Sequence, residues 1–175
     1  MQDRTALDMS VDLEDFFQTK IPAIIDAVKG DEPANWGLMN VHQMLEHLLF
    51  PLNFAITENP IILVTPEEKL PRQREFLVSK YGMPKNFKTP FLPADKTVPL
   101  IKQDLQESKQ LLKETINEFL SVINNQDFTT KLHPVFGQLD KQGWLTFQYK
   151  HFSHHFMQFG LLSLPPPTDD AANHG

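Results

Sequence analysis

Residues 39–60 read MNVHQMLEHLLFPLNFAITENP, and where this stretch starts, bends and stops decides how the rest of the chain is laid out. It reads as a helix. Asn40 offers a side-chain oxygen to the free N–H groups of a first turn, and Asn59-Pro60 is a stop signal. Pro51 lies inside it. With no N–H, that proline cannot bond back to the carbonyl of His47, so the helix is expected to bend at or just after His47, or to end near Phe50.

On the N-terminal side, SVDLEDFFQTKIPAIIDAVKG (residues 10–30) reads as a first helix from about Ser10 to Val28, interrupted by Pro22 and stopped by Gly30. On the other side, Pro60 to Pro99 holds seven of the 14 prolines, so this segment reads as a long crossover rather than a regular element. One short helix fits inside it, in EEKLPRQREFLVSKYG (residues 67–82), and no strand alternation is visible. A third helix is expected from Leu100 to Asn124, with Ile101, Leu105, Leu112, Ile116, Phe119, Leu120 and Ile123 at helical spacing. NNQDFTTKLHPVFGQLD (residues 124–140) reads as a loop. Asp140 then caps a fourth helix that continues to about Leu162.

Helices two and three are thus joined by about forty residues, whereas antiparallel neighbours in bundles need only about 2–8. They are expected to run parallel. The fold class predicted is all-α, a four-helix bundle of up-down-down-up order with the long crossover between helices 2 and 3. A distance check agrees: His47 lies about eleven residues before the end of helix two, and His151 about eleven after the start of helix four, so both sit roughly 16 Å from the same end. An up-down-up-down order would misplace them by about one turn. One domain is expected over residues 1–164. The tail PPPTDDAANHG (residues 165–175) has too little apolar surface to offset its ordering entropy and reads as disordered, His174 with it.

Composition narrows the chemistry. With 41% hydrophobic and 22% charged residues the chain is globular, and no apolar run is long enough to span a bilayer, so no membrane partner is expected. The first ten residues carry no signal-peptide pattern, which makes a cytoplasmic location the expectation. A net charge of −6, with the lysines spread out, gives no footprint for nucleic acid. There is no cysteine, so any metal site is limited to nitrogen and oxygen ligands. The partner expected is a small-molecule substrate. A homodimer is left open.

Three of the seven histidines lie within WLTFQYKHFSHHFMQF (residues 144–159). His151 and His155 are four apart, about 40° and 6 Å offset on a helix, near enough to reach one ion. Trp144, Gln148, Gln158 and Leu162 share their face. A third ligand must come from elsewhere, and His47 stands at the matching level. Gln43 above His47, and Gln148, His154 and Gln158 beside the other two, are candidates for groups that orient the imidazoles from behind. Glu46 is a candidate base, although beside His47 it is rotated by about 100° and otherwise reads as a surface charge. His42 points elsewhere. His133, extended before Pro134, either lines a substrate mouth or belongs to a turn that plugs the bundle end with Val135 and Phe136. The plainer reading of an HxxxH pair is two rings that merely pack, and most of the 14 phenylalanines belong to the core.

NWGLMNVHQMLEHL (residues 35–48), FKTPFLP (87–93) and HPVFGQLDKQGWLTFQYKHFSHHFMQFGL (133–161) together resemble the DinB-like superfamily, in a branch of unknown function. The likeness covers about Asp12 to Leu162 and combines a WGxM motif, the helix-two histidine and an HxxHHxxQF run. It implies an up-down-down-up bundle with a divalent metal on three histidines, matching His47, His151 and His155. Relatives of known activity include transferases and isomerases that use a low-molecular-weight thiol such as bacillithiol or mycothiol. No thiol-binding motif is found in this chain.

Two functions follow. In the first, three imidazoles hold Zn²⁺ or Ni²⁺ with an open position, for hydrolysis or thiol transfer. In the second, the bundle is a non-catalytic binder of a small ligand or metal, its fourth position closed by His154 or Glu46.

Overall fold

The computed structural model describes residues 5–85 and 99–163. The FKTPFLP motif, the tail and His174 lie outside them. The described residues are mostly helical, as expected. Helical backbone starts at α1 (Leu13–Asp15), where Asp12 accepts from the Glu14 and Asp15 N–H groups. It passes through a π turn (Phe16–Lys20) into α2 (Ile21–Ala27). Pro22 therefore does not break the helix. The turn before it is widened, with the Ile21 N–H bonded to the Phe16 carbonyl five residues back.

The helix is interrupted just after His47, where a bend is expected. α3 (Val41–His47) and α4 (Leu49–Ile56) meet at Leu48, whose N–H bonds to the Met44 carbonyl at 3.1 Å. A short 3-10 turn (Glu67–Lys69) leads into α5 (Leu70–Val78) within the crossover. α6 runs from Leu105 to Ile123, starting five residues later and ending one residue earlier than predicted. Asp104 is its true cap, accepting from Gln106 and Glu107 N–H, so Ile101 falls outside the helix and is 64% exposed instead of joining the apolar stripe.

The segment expected to be a loop contains a hairpin, β1 (Lys131–His133) against β2 (Gly137–Leu139), antiparallel with His133 opposite Gly137. Strands of three residues are too short to show alternation. The turn is closed from within: His133 Nδ1 accepts the N–H groups of Val135 and Phe136, and Gly137 takes φ +76°, the left-handed value such a short loop needs.

α7 (Lys141–Gln158) is the central element. Every residue from Trp144 to Phe156 is buried, so it presents no solvent face, and α1, α4, α5 and the hairpin pack around it. Asp140 caps its start as predicted. It stops four residues before Leu162, because Gly160 at φ +66° turns the chain and the Leu161 N–H bonds back to the Phe156 carbonyl at 2.8 Å. α6 packs on α2, α3 and α4, with Leu112, Ile116, Phe119 and Ile123 buried. No helix of the described residues is long and apolar enough to cross a membrane.

Candidate metal centre

His47 is the last residue of α3, placed where the helix is interrupted, and is half-buried. His151 and His155 lie one turn apart on α7, 8% and 7% exposed. All three meet. The Nε2 of His151 is 3.2 Å from the Nε2 of His47 and 3.2 Å from the Nε2 of His155. One ligand nitrogen from each residue lies within 4.8 Å of the other two. Phe147 stacks on the His151 ring, 5.8 Å between centroids at 11°, and fixes its plane.

Protons alone cannot satisfy this arrangement. The Gln158 side chain donates from Nε2 to the Trp36 carbonyl at 2.6 Å, which leaves its Oε1 to accept from His155 Nδ1 at 2.9 Å. His155 therefore carries its proton on Nδ1 and points a bare lone pair at His151. The single proton of a neutral His151 can serve one of its two Nε2 neighbours at most. Nor does charging the rings help: burial first, then the neighbouring imidazoles, pushes His151 and His155 well below the ordinary 6.5, and burial followed by His154 pushes His47 down to about 4. Three neutral, converging nitrogens are the donor set of a cation. Imidazoles about 2.0–2.1 Å from a tetrahedral ion stand roughly 3.3–3.4 Å apart, close to the spacing seen. The three histidines fit a divalent metal.

Other residues singled out from the sequence are placed differently. Glu46, the candidate base, is bonded to groups outside the trio. It is buried and faces away from the trio, accepting from Ile101 N–H at 2.5 Å, Lys102 N–H at 2.8 Å and the Ser108 hydroxyl at 2.7 Å. Burial would raise its carboxyl, but the hydrogen bonds from Ile101, Ser108 and Lys102, with His42 behind them, hold it below 4.5. His42 donates to the Ser108 oxygen at 2.7 Å, so it belongs to the same latch between α3 and the start of α6. In Glu46→Gln the new NH₂ would face a donor. We expect a stability loss of about 1–3 kcal/mol, read by urea denaturation, with unchanged zinc affinity; a large affinity loss in a stably folded variant would restore Glu46 to the centre.

His133 lies inside the hairpin's aromatic packing. It is 3% exposed and boxed by Phe54, Phe136, Trp144 and Phe147, the last 4.3 Å away between centroids. Trp144 and Leu162 are core residues. Gln43 does not touch His47: its Oε1 accepts from the Asn40 N–H while Asn40 accepts from the Gln43 N–H, a reciprocal cap. His154 bonds the Met83 carbonyl through Nδ1 at 3.2 Å and packs edge-on against His155 and Trp36. Gln148 is fully buried one turn before His151, and among the described residues neither its amide atoms nor His151 Nδ1 has a hydrogen-bond partner. Of the proposed orienting groups, Gln158 alone grips a ligand ring within the described residues.

Burial pushes His133 down to about 3. Its ordinary value is 6.5, so between these limits the unfolded chain binds more protons than the folded one, and stability rises with pH. The metal-free protein should keep its full stability above about pH 6.5 and lose it as pH falls toward 4 and then 3, as His47 and His133 resist protonation. At about 1.4 kcal/mol per pKa unit, His133 alone contributes on the order of a few kcal/mol. Urea midpoints across this range check it; a midpoint that does not change between about pH 7 and 5 would contradict it.

The sequence reading missed the Asn35–Gly37 turn as a supporting element, although WG was visible as part of a motif. The chain matches no family model, no curated protein and no solved structure.

Proposed function

We propose that this chain is a metal-dependent enzyme whose centre is a Zn²⁺ or Ni²⁺ ion held by His47, His151 and His155. The observation that carries the reading is the pair of 3.2 Å Nε2 contacts around His151, which a cation satisfies and protons do not. When bound, a divalent ion supplies Lewis-acid chemistry, lowering the pKa of water or a thiol beside it toward neutrality. The chain's own residues hold three neutral nitrogens in place, lock the His155 proton behind its ring, and brace the His151 ring against Phe147.

Catalysis is favoured over a closed, non-catalytic site because the candidates for a fourth ligand are engaged elsewhere: Glu46 with Ile101, Lys102 and Ser108, and His154 with Met83. The group found among the described residues holds three histidines and no carboxylate. We assign the DinB-like architecture, an up-down-down-up four-helix bundle, as part of the same proposal. Hydrolysis and low-molecular-weight thiol transfer are the two reaction classes that suit this donor set, with a small molecule as substrate. The test compares metal-free, zinc-loaded and nickel-loaded protein on activated esters and on a thiol with an electrophilic acceptor. Turnover confined to the loaded forms supports the proposal; equal turnover with and without metal sinks it.

A further inference from the structure

The Asn35–Gly37 turn touches none of the three imidazole nitrogens directed at the centre, yet it is bound to the end of α7 at three points. The Asn35 N–H donates to the Gln158 carbonyl at 2.7 Å, and the Asn35 side-chain amide donates to the Met157 carbonyl at 3.3 Å. These are carbonyls of the last helical turn, beyond the reach of the regular helical ladder, and that of Met157 also accepts from the Gly160 N–H at 3.1 Å. The third contact is the Trp36 carbonyl, which accepts from Gln158 Nε2 at 2.6 Å. That bond decides which way round the Gln158 amide sits. With its NH₂ committed to Trp36, only an acceptor oxygen is left to face His155 Nδ1 at 2.9 Å.

Gly37 is required for the approach. It sits at φ +83°, where a side chain is strained, and a Cβ there would stand 2.6 Å from Gln158 Nε2. The end of the glutamine would have to move. His155 is also flanked by His154, which is held by Met83 and packs on Trp36, so the same turn braces the neighbouring ring.

We infer that Gln158 is a positioning residue, clamped by the Trp36 carbonyl and the bare face of Gly37, that fixes His155 as its Nδ1–H tautomer and so keeps the Nε2 lone pair aimed at the centre. The inference rests on the metal-centre reading for its purpose, but the tautomer is a property of the metal-free chain. Among the described residues no other hydrogen bond holds the proton on Nδ1; once the clamp is lost it can move to Nε2, where it blocks coordination.

The test uses full-length, metal-free protein with ¹⁵N-labelled histidine, together with zinc competition against a chelator. Wild type is expected to show His155 protonated on Nδ1. In Gln158→Leu, similar in volume and apolar, the proton should shift toward Nε2 and zinc affinity should fall by about 10–100-fold. Gln158→Glu gives up the donor to the Trp36 carbonyl but keeps an acceptor for His155, so relative to Gln158→Leu it should restore the Nδ1–H form, a rescue that a packing role would not produce. Gly37→Ala should shift the tautomer in the same direction as Gln158→Leu. Melting curves confirm that each variant is folded. His155 protonated on Nε2 in wild type, or Gln158→Leu with wild-type tautomer and affinity, would overturn the clamp. A wild type that takes up no metal overturns the proposed function instead; the tautomer then decides the clamp alone, which stands on Nδ1–H and falls on Nε2–H.

Discussion

Replacing His151 with alanine should weaken zinc and nickel binding by more than about 100-fold, the upper end of what losing a mere orienting partner costs. His151 is the hub of the trio, since its Nε2 lies 3.2 Å from each of the other two. Without it, two imidazoles from separate elements remain, too few to hold an ion tightly. Alanine also leaves a cavity, so His151→Phe is the cleaner companion. It keeps a ring against Phe147 and removes a buried nitrogen that has no hydrogen-bond partner among the described residues. Apolar replacement of poorly satisfied buried polar groups is often neutral or stabilising. The metal-free Phe variant should therefore be at least as stable as wild type while binding no metal. Calorimetric titration and urea denaturation read the two effects. Unchanged affinity in either variant would contradict the site.

The second large effect is expected at Lys150, the neighbour of His151 whose ammonium bonds a different part of the chain. Its ammonium is fully buried and donates to the carbonyls of Phe76 and Ser79 at 2.7 Å each and of Tyr81 at 2.8 Å. It also lies 4.5 Å above the Phe76 ring. These carbonyls end α5 and continue into the segment whose Met83 carbonyl holds His154, so one cation pins the crossover along α7. Lys150→Met keeps most of the volume and strands the acceptors. Hydrogen bonds to a charged group contribute about 1.5–3 kcal/mol each and are not independent here, so we expect a loss of roughly 3–5 kcal/mol. That is a large share of the roughly 5–15 kcal/mol that holds a typical domain together. A loss below about 1 kcal/mol would show that the carbonyls find other partners.

Lys150 also shows where sequence reading stops. The helix starts at Asn40 and Asp140 were legible because a cap is a local device, one side chain bonding N–H groups two or three residues on. The interruption after His47 was legible because a missing proline N–H acts four residues back. The trio was legible because two members share a helix face and the third was placed by counting rise. By contrast, nothing in the sequence singles out Lys150, and Glu46 reads as an ordinary surface charge. Their partners are backbone groups 71 and 55 residues away, at Ser79 and Ile101, and periodicity carries no information about such pairings. The hairpin was missed for the opposite reason: its strands are shorter than any pattern, and it is closed by the imidazole of His133, which the sequence offered as a chemical group. Helix three was started too early because Ile101 extended an apolar stripe, although Asp104 with Glu107 three residues on was available as a start signal.

X-ray absorption on zinc-loaded protein tests most directly whether the three nitrogens converge on one ion. The geometry predicts one zinc per chain with three imidazole nitrogens at about 2.0–2.1 Å and one further light atom that exchanges with added ligand. A zinc bound by fewer than three imidazoles, or the same spectrum from His151→Ala, would contradict it.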